Sequence, residues 1–243
     1  MPPFKQTRAL SNIVLPLMIA GHDDNQQTST PKELIGTGFL IGNRGFALTA
    51  AHVIDQLQEA KKSNTDLIVT HIFNQHGVFP FQIVQFEKHP TEDIGVVQIG
   101  HQELTSWLEL SKAQENSSCP YVGWGYPKEI AEELKFLERD PPLRPSLIYT
   151  EGYIRRIIET YLSSSIYVGS KFYEVSDLGG PGYSGSPIIN KNSIREGKWQ
   201  VIGVYIGEKE GAGAPVGYAV RIEAVADWVP KILGRSIFDE AAI

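Results

Sequence analysis

Apolar, β-branched and aromatic residues fall along this chain in short runs, each closed by glycine, proline, asparagine or serine. Short punctuated runs are the pattern of strands; helices repeat their apolar positions every three to four residues. The pattern predicts strands over 12–20, 36–42, 45–50, 66–73, 79–86 and 94–99 in the first half. It predicts six more over 119–125, 149–160, 166–175, 186–190, 200–206 and 216–222. Val69, Ile72, Phe79, Phe81, Ile83 and Phe86 are the side chains that half-buried strands favour. Asn43-Arg44-Gly45 makes a hairpin, with Gly45 supplying the backbone angle that other residues avoid. Two segments have helical periodicity: Lys128 to Arg139, stopped by Asp140-Pro141-Pro142, and Ile222 to Leu233, with Pro230 as a kink and Gly234 closing it. Residues 103–115 read as a connecting segment with some helix. Two groups of six short strands predict an all-β fold of two six-stranded antiparallel barrels, because closure removes exposed sheet edges. The division falls at 1–110 and 111–243, with no flexible linker and no internal repeat between them.

Ile13 to Ala20, preceded by Lys5 and Arg8, imitates a secretion signal. Pro16 interrupts that run, polar Ser11-Asn12 precede it, and as a strand it completes the first set of six. The expectation is therefore a strand. No apolar run is long enough for a membrane-crossing helix. The net charge of −6 speaks against nucleic acid or an anionic membrane as partner, since both call for basic patches. A single cysteine, Cys119, cannot form an internal disulfide, so a reducing, cytoplasmic location is expected.

Chemistry concentrates in three places. Gly179-Gly180-Pro181-Gly182-Tyr183-Ser184-Gly185-Ser186-Pro187 is a glycine-rich loop entering an apolar strand. Such a loop can aim a serine hydroxyl and neighbouring backbone N–H groups at one small volume, as acyl transfer requires. In Thr49-Ala50-Ala51-His52 a strand ends in small residues, which leave an imidazole room to turn. In Glu92-Asp93-Ile94-Gly95-Val96-Val97 a carboxylate heads an apolar strand, where it could hold a histidine tautomer in place. His22, His71, His76, His89 and His101 read as surface or structural. None makes a zinc-ligand spacing with another, and no metal or organic cofactor is expected.

These motifs resemble those of the trypsin-like serine peptidases: Thr49-Ala50-Ala51-His52 the histidine motif, Asp93 to Val97 the aspartate motif, and Gly182 to Pro187 the nucleophile motif, in the family's order. Gly36-Thr37-Gly38-Phe39 is similar to the strand before the histidine hairpin. Val122-Gly123-Trp124-Gly125-Tyr126-Pro127 is similar to the first strand of the second barrel in the bacterial, disulfide-free branch that includes the HtrA-type proteases. Val201 to Val204 and Gly217 to Val220 match the pocket strands, and Val225 to Leu233 the closing helix. The resemblance implies a chymotrypsin-like fold with a C-terminal helix, and a serine endopeptidase acting on proteins or peptides. It implies catalysis by His52, Asp93 and Ser184, with an oxyanion hole made by the N–H groups of Gly182 and Ser184. The pocket floor would be Leu178, one position from Asp177, and the wall strand Tyr205 to Gly207, with Ile206 between them. An apolar floor favours uncharged side chains, and Gly207 would leave the pocket mouth open.

One departure is Tyr183, which stands where the zymogen-activated branch has an aspartate. A phenol cannot pair with a newly cut N-terminus, so activation by N-terminal clipping is not expected, and a regulatory protein partner or loop ordering takes its place. Lys128 to Arg139 is the candidate regulatory element, against the plainer reading of a solvated surface helix. An α/β-hydrolase does not fit, because its motif needs glycine at Ser186, a helix where Pro187-Ile188-Ile189 stands, and serine before histidine. The alternative from another class is a catalytically silent peptide-binding module on the same double barrel.

Overall fold

The computed structural model describes residues 9–23, 28–60, 66–74, 77–101, 103–138, 144–161, 167–177, 179–209 and 216–242. The first half forms β1 (Val14–Asp23), β2 (Thr28–Ile41), β3 (Phe46–Thr49), α1 (Ala51–Ala60), β4 (Asp66–Asn74), β5 (Gly77–Lys88) and β6 (Gly95–Ile99). Its six strands close into a barrel in the order β1-β2-β3-β6-β5-β4. Every residue from Ile13 to Ala20 is buried, with Pro16 opposite Thr37, so the signal-like run is the barrel's first strand. The turn at residues 42–45 carries positive φ at both Gly42 and Gly45.

The second half contains β7 (Glu109–Leu110), β8 (Pro120–Gly125), β9 (Ile148–Ile158), β10 (Phe172–Val175), β11 (Pro187–Asn190), α2 (Lys191–Arg195), β12 (Gln200–Lys209) and β13 (Val216–Arg221). Its sheet runs β11-β8-β9-β10-β13-β12, and antiparallel pairing of β11 with β12 closes the ring. Strand β7 adds to β12 in parallel. The protein is thus a chymotrypsin-like pair of six-stranded sheets with few helices.

The helical segments depart from the sequence reading. A ten-residue helix, α1, begins immediately after Ala50 and buries Val53, Ile54 and Leu57. Residues 103–115 hold no helix among those described; β7 and extended chain take its place. Lys128–Glu138 is a 3₁₀ helix whose Ile130 and Leu134 are buried. It packs on β2, so it is more than a solvated surface helix. Only Ile222–Val225 of the predicted 222–233 helix is helical, as a single 3₁₀ turn, and the C-terminal helix is α3 (Ile237–Ala241). Pro230 lacks the N–H that a continuing helix would use, and Gly234 turns the chain at φ +73°. Helix α3 returns to the first barrel through Glu240, which is fully buried and accepts from Arg44 Nε on both carboxylate oxygens, at 3.1 and 2.9 Å.

Candidate active site

His52 is the second residue of α1, so it leaves β3 on a rigid helical turn. Its ring Nδ1 lies 2.8 Å from Asp93 Oδ2, and its backbone N–H donates to Asp93 Oδ1 at 3.0 Å. A carboxylate facing Nδ1 places the proton on that nitrogen and leaves Nε2 as the basic one. Asp93 is 2% exposed. The turn that presents it is built by His89, whose Nδ1 accepts from the N–H groups of Thr91 and Glu92 at 3.2 and 3.0 Å. Burial lowers the His89 pKa, with Glu92 opposing. That keeps the ring in the neutral form that can accept.

Glu92 ties this turn to the second barrel. It is 6% exposed and accepts from the N–H of Ser170 at 3.0 Å and of Lys171 at 3.3 Å. Neither His89 nor Glu92 is marked in the sequence by more than its place beside Asp93.

The nucleophile loop needs its glycines. Gly182 and Gly185 have φ of +87° and +92°, where side chains are strained. A Cβ on Gly185 would collide with the Thr37 carbonyl, and one on Gly182 would lie 2.8 Å from Lys128 N. Thr37, fully buried on β2, joins the barrels here. Its N–H donates to the Ser184 carbonyl at 2.9 Å, and its hydroxyl donates to the Gly182 carbonyl at 3.1 Å while accepting from Tyr126 N–H at 2.9 Å. Tyr183 is buried edge-on against Tyr205, with its hydroxyl 2.9 Å from Thr150 Oγ1. Packing holds the loop at this position where a salt bridge could have.

His52, Gly182, Ser184, Ile206 and Gly207 all line one cleft of about 290 Å³, together with Lys128, Tyr167, Gly180, Pro181 and Glu208. Ser184 Oγ donates to the Ile206 carbonyl at 3.1 Å. The N–H groups of Gly182 and Ser184 meet no protein acceptor among the described residues.

This geometry brings together residues from both halves of the chain, and the family follows from it together with the comparisons. A model of the trypsin-like peptidase domain matches residues 36–204. The chain belongs to the trypsin-like peptidases. A search of the curated proteins finds no match. Among solved structures, the MamO protease domain from Magnetospirillum magneticum is similar at 14% identity and TM-score 0.61, over 92% of this chain and 99% of that one. The HtrA-type protease AlgW with decapeptide is similar at 14% identity and TM-score 0.62, over 96% of this chain and 66% of that one. The Rv3671c protease from M. tuberculosis, active form, is similar at 18% identity and TM-score 0.56, over 93% and 91%. At these identities the likeness speaks for the fold.

For a trypsin-like peptidase, the pocket differs from the sequence expectation. Leu178 lies outside the described residues. Asp177 does not line the cleft; its N–H donates to the Tyr121 hydroxyl at 3.2 Å. Tyr205 is buried behind the loop and its hydroxyl accepts from Gly179 N–H at 3.1 Å. Gly207 lines the cleft beside Tyr167. The Tyr167 hydroxyl sits where a Gly207 side chain would be, donating to the Glu208 carbonyl at 3.0 Å, with its ring 6.0 Å from that of His52. The sequence reading missed Tyr167 because it follows no motif and reaches the cleft from a loop. Among the described residues, no group of three His, Cys, Asp or Glu could hold a metal.

Proposed function

We propose that this trypsin-like peptidase is an active serine endopeptidase cleaving protein or peptide substrates through His52, Asp93 and Ser184. The observation that carries this reading is the doubly bonded Asp93–His52 pair opening onto the same cleft as Ser184. With Nδ1 committed to Asp93, His52 Nε2 accepts the Ser184 proton as Oγ attacks the scissile carbonyl carbon. The hydroxyl first leaves the Ile206 carbonyl by rotation about its Cα–Cβ bond. The new C–O bond pushes the carbonyl electrons onto oxygen, and the Gly182 and Ser184 N–H groups stabilise that oxyanion. As the C–N bond breaks, His52 gives its proton to the departing amine. Water, deprotonated by the same nitrogen, then releases the acid and restores Ser184. Asp93 stabilises the intermediate imidazolium throughout.

The test is digestion of casein and of a peptide library by the wild type and by Ser184→Ala, together with fluorophosphonate labelling. Cleavage and labelling that vanish in Ser184→Ala are expected. A folded wild type that neither cleaves nor labels, alone or with candidate activators, favours the silent peptide-binding module.

A further inference from the structure

The two residues to which the sequence points for pocket chemistry, Asp177 and Leu178, do not supply the charge that the cleft contains. Glu208 does. The cleft is bounded on one side by Gly180, Pro181 and Gly182 and on the other by Ile206, Gly207 and Glu208, with Ser184 between them. Strand β12 pairs through 203–209 with β13 on one edge, while the Ile206 carbonyl turns the other way, to Ser184. A substrate extended along that open edge lays its scissile carbonyl at Ser184. The side chain just before the cut then enters the slot between the two walls.

Glu208 reaches across that slot. Its Oε1 accepts from Gly180 N–H at 2.6 Å and from the Tyr205 hydroxyl at 3.2 Å. Both donors are neutral. Among the described residues no lysine or arginine comes within ion-pair distance of this carboxylate, and none of their hydrogen bonds reaches Oε2. Of the other titratable groups lining the cleft, His52 pairs with Asp93, the Tyr167 hydroxyl donates to the Glu208 carbonyl, and the half-exposed Lys128 ammonium lies 3.8 Å from Glu33.

We propose that Glu208 sets the primary specificity of this cleft, selecting lysine or arginine immediately before the scissile bond. This rests on the endopeptidase reading above and deepens it. A carboxylate held by hydrogen bonds on one oxygen can bind an ammonium or guanidinium through the other by charge-assisted hydrogen bonds. An apolar side chain in the slot would instead cover Oε2 without a partner, and an acidic one would be repelled. The selecting charge thus comes from the wall strand, not from the floor where this family's motif directs attention.

The experiment compares kcat/KM for one peptide series differing only before the cut, with Arg, Lys, Leu and Glu. Wild type is expected to favour Arg and Lys over Leu by about ten- to a hundred-fold, the range for hydrogen bonds to a charged group. Glu208→Gln keeps an acceptor for Gly180 N–H and should bring the Arg-to-Leu ratio near one; Glu208→Lys should move the preference to Glu. A ratio unchanged in Glu208→Gln, or a wild type preferring Leu, overturns the assignment whatever the absolute rates. Peptide affinities of Ser184→Ala and of Ser184→Ala/Glu208→Gln give the same ratio without turnover. If nothing is cleaved or labelled the endopeptidase reading fails, while tighter Arg than Leu binding, lost with Glu208, would still support the slot's charge and equal binding would end it.

Discussion

The backbone N–H of Lys128 donates to the Pro181 carbonyl at 2.6 Å. In a trans peptide the carbonyl and the next N–H point to opposite sides, so this bond turns the Gly182 N–H away from Lys128. The first residue of the 3₁₀ insert therefore sets the direction of a proposed oxyanion donor. Lys128→Pro replaces that N–H with a ring carbon aimed at the Pro181 carbonyl, so the nucleophile loop must shift away from the insert. A fall in kcat of about 10²–10³ or more is expected, the effect of losing one oxyanion donor, with some loss of melting temperature from the broken bond. Steady-state kinetics and thermal unfolding check this; an unaltered kcat would uncouple the insert from the site.

Asp93 holds His52 by two bonds, one to the ring and one to the backbone. Asp93→Asn can still accept the backbone N–H but can turn its NH₂ to the ring, favouring the wrong tautomer. A loss of about 10⁴ in kcat is expected on this account. Near-normal turnover at neutral pH would show that His52 does not need the carboxylate.

His71 is 3% exposed, stacks on Phe73, and its Nδ1 has no hydrogen-bond partner among the described residues. Burial lowers its pKa from 6.5 to about 4. Between those values the unfolded chain carries a proton that the folded one does not, so stability falls as pH drops through that window. The full effect is about 3 kcal/mol, present above pH 6.5 and gone below pH 4. Burial of His89 acts in the same direction. Urea unfolding at pH 7 and pH 4.5 should show the loss, and His71→Phe should flatten it.

Arg44 is the principal partner of fully buried Glu240, and its Nη2 also donates to the Leu233 carbonyl at 3.1 Å. Arg235 comes no closer than 3.8 Å. Arg44→Ala leaves a buried charge poorly compensated and should cost about 3–5 kcal/mol. Arg44→Ala/Glu240→Leu should recover most of that. Chemical denaturation of both variants decides it; equal losses would mean that packing, not charge, docks α3.

Alternation and turn residues located all twelve predicted strands, because a strand's two faces are written locally in its side chains, but β2 begins at Thr28, well before 36, and β10 only at Phe172, after 166. The helix at Ala51–Ala60 escaped, since strand-ending alanines and His52 gave no cap to mark it. The 222–233 pattern had apolar spacing for a helix, but Pro230 and packing against the barrels broke it into turns.

By itself, then, the sequence determined the barrel strands, the glycines whose backbone angles the nucleophile loop needs, and the candidacy of His52, Asp93 and Ser184. Those depend on neighbours along the chain. The tertiary structure alone decided that Thr37 and Lys128 brace the Ser184 loop and that Tyr167 covers Gly207. It also decided that Glu208, not Asp177, faces the cleft. Such roles arise where distant segments close on one another, and a side chain's direction there follows from barrel closure, which leaves no periodic trace in the sequence.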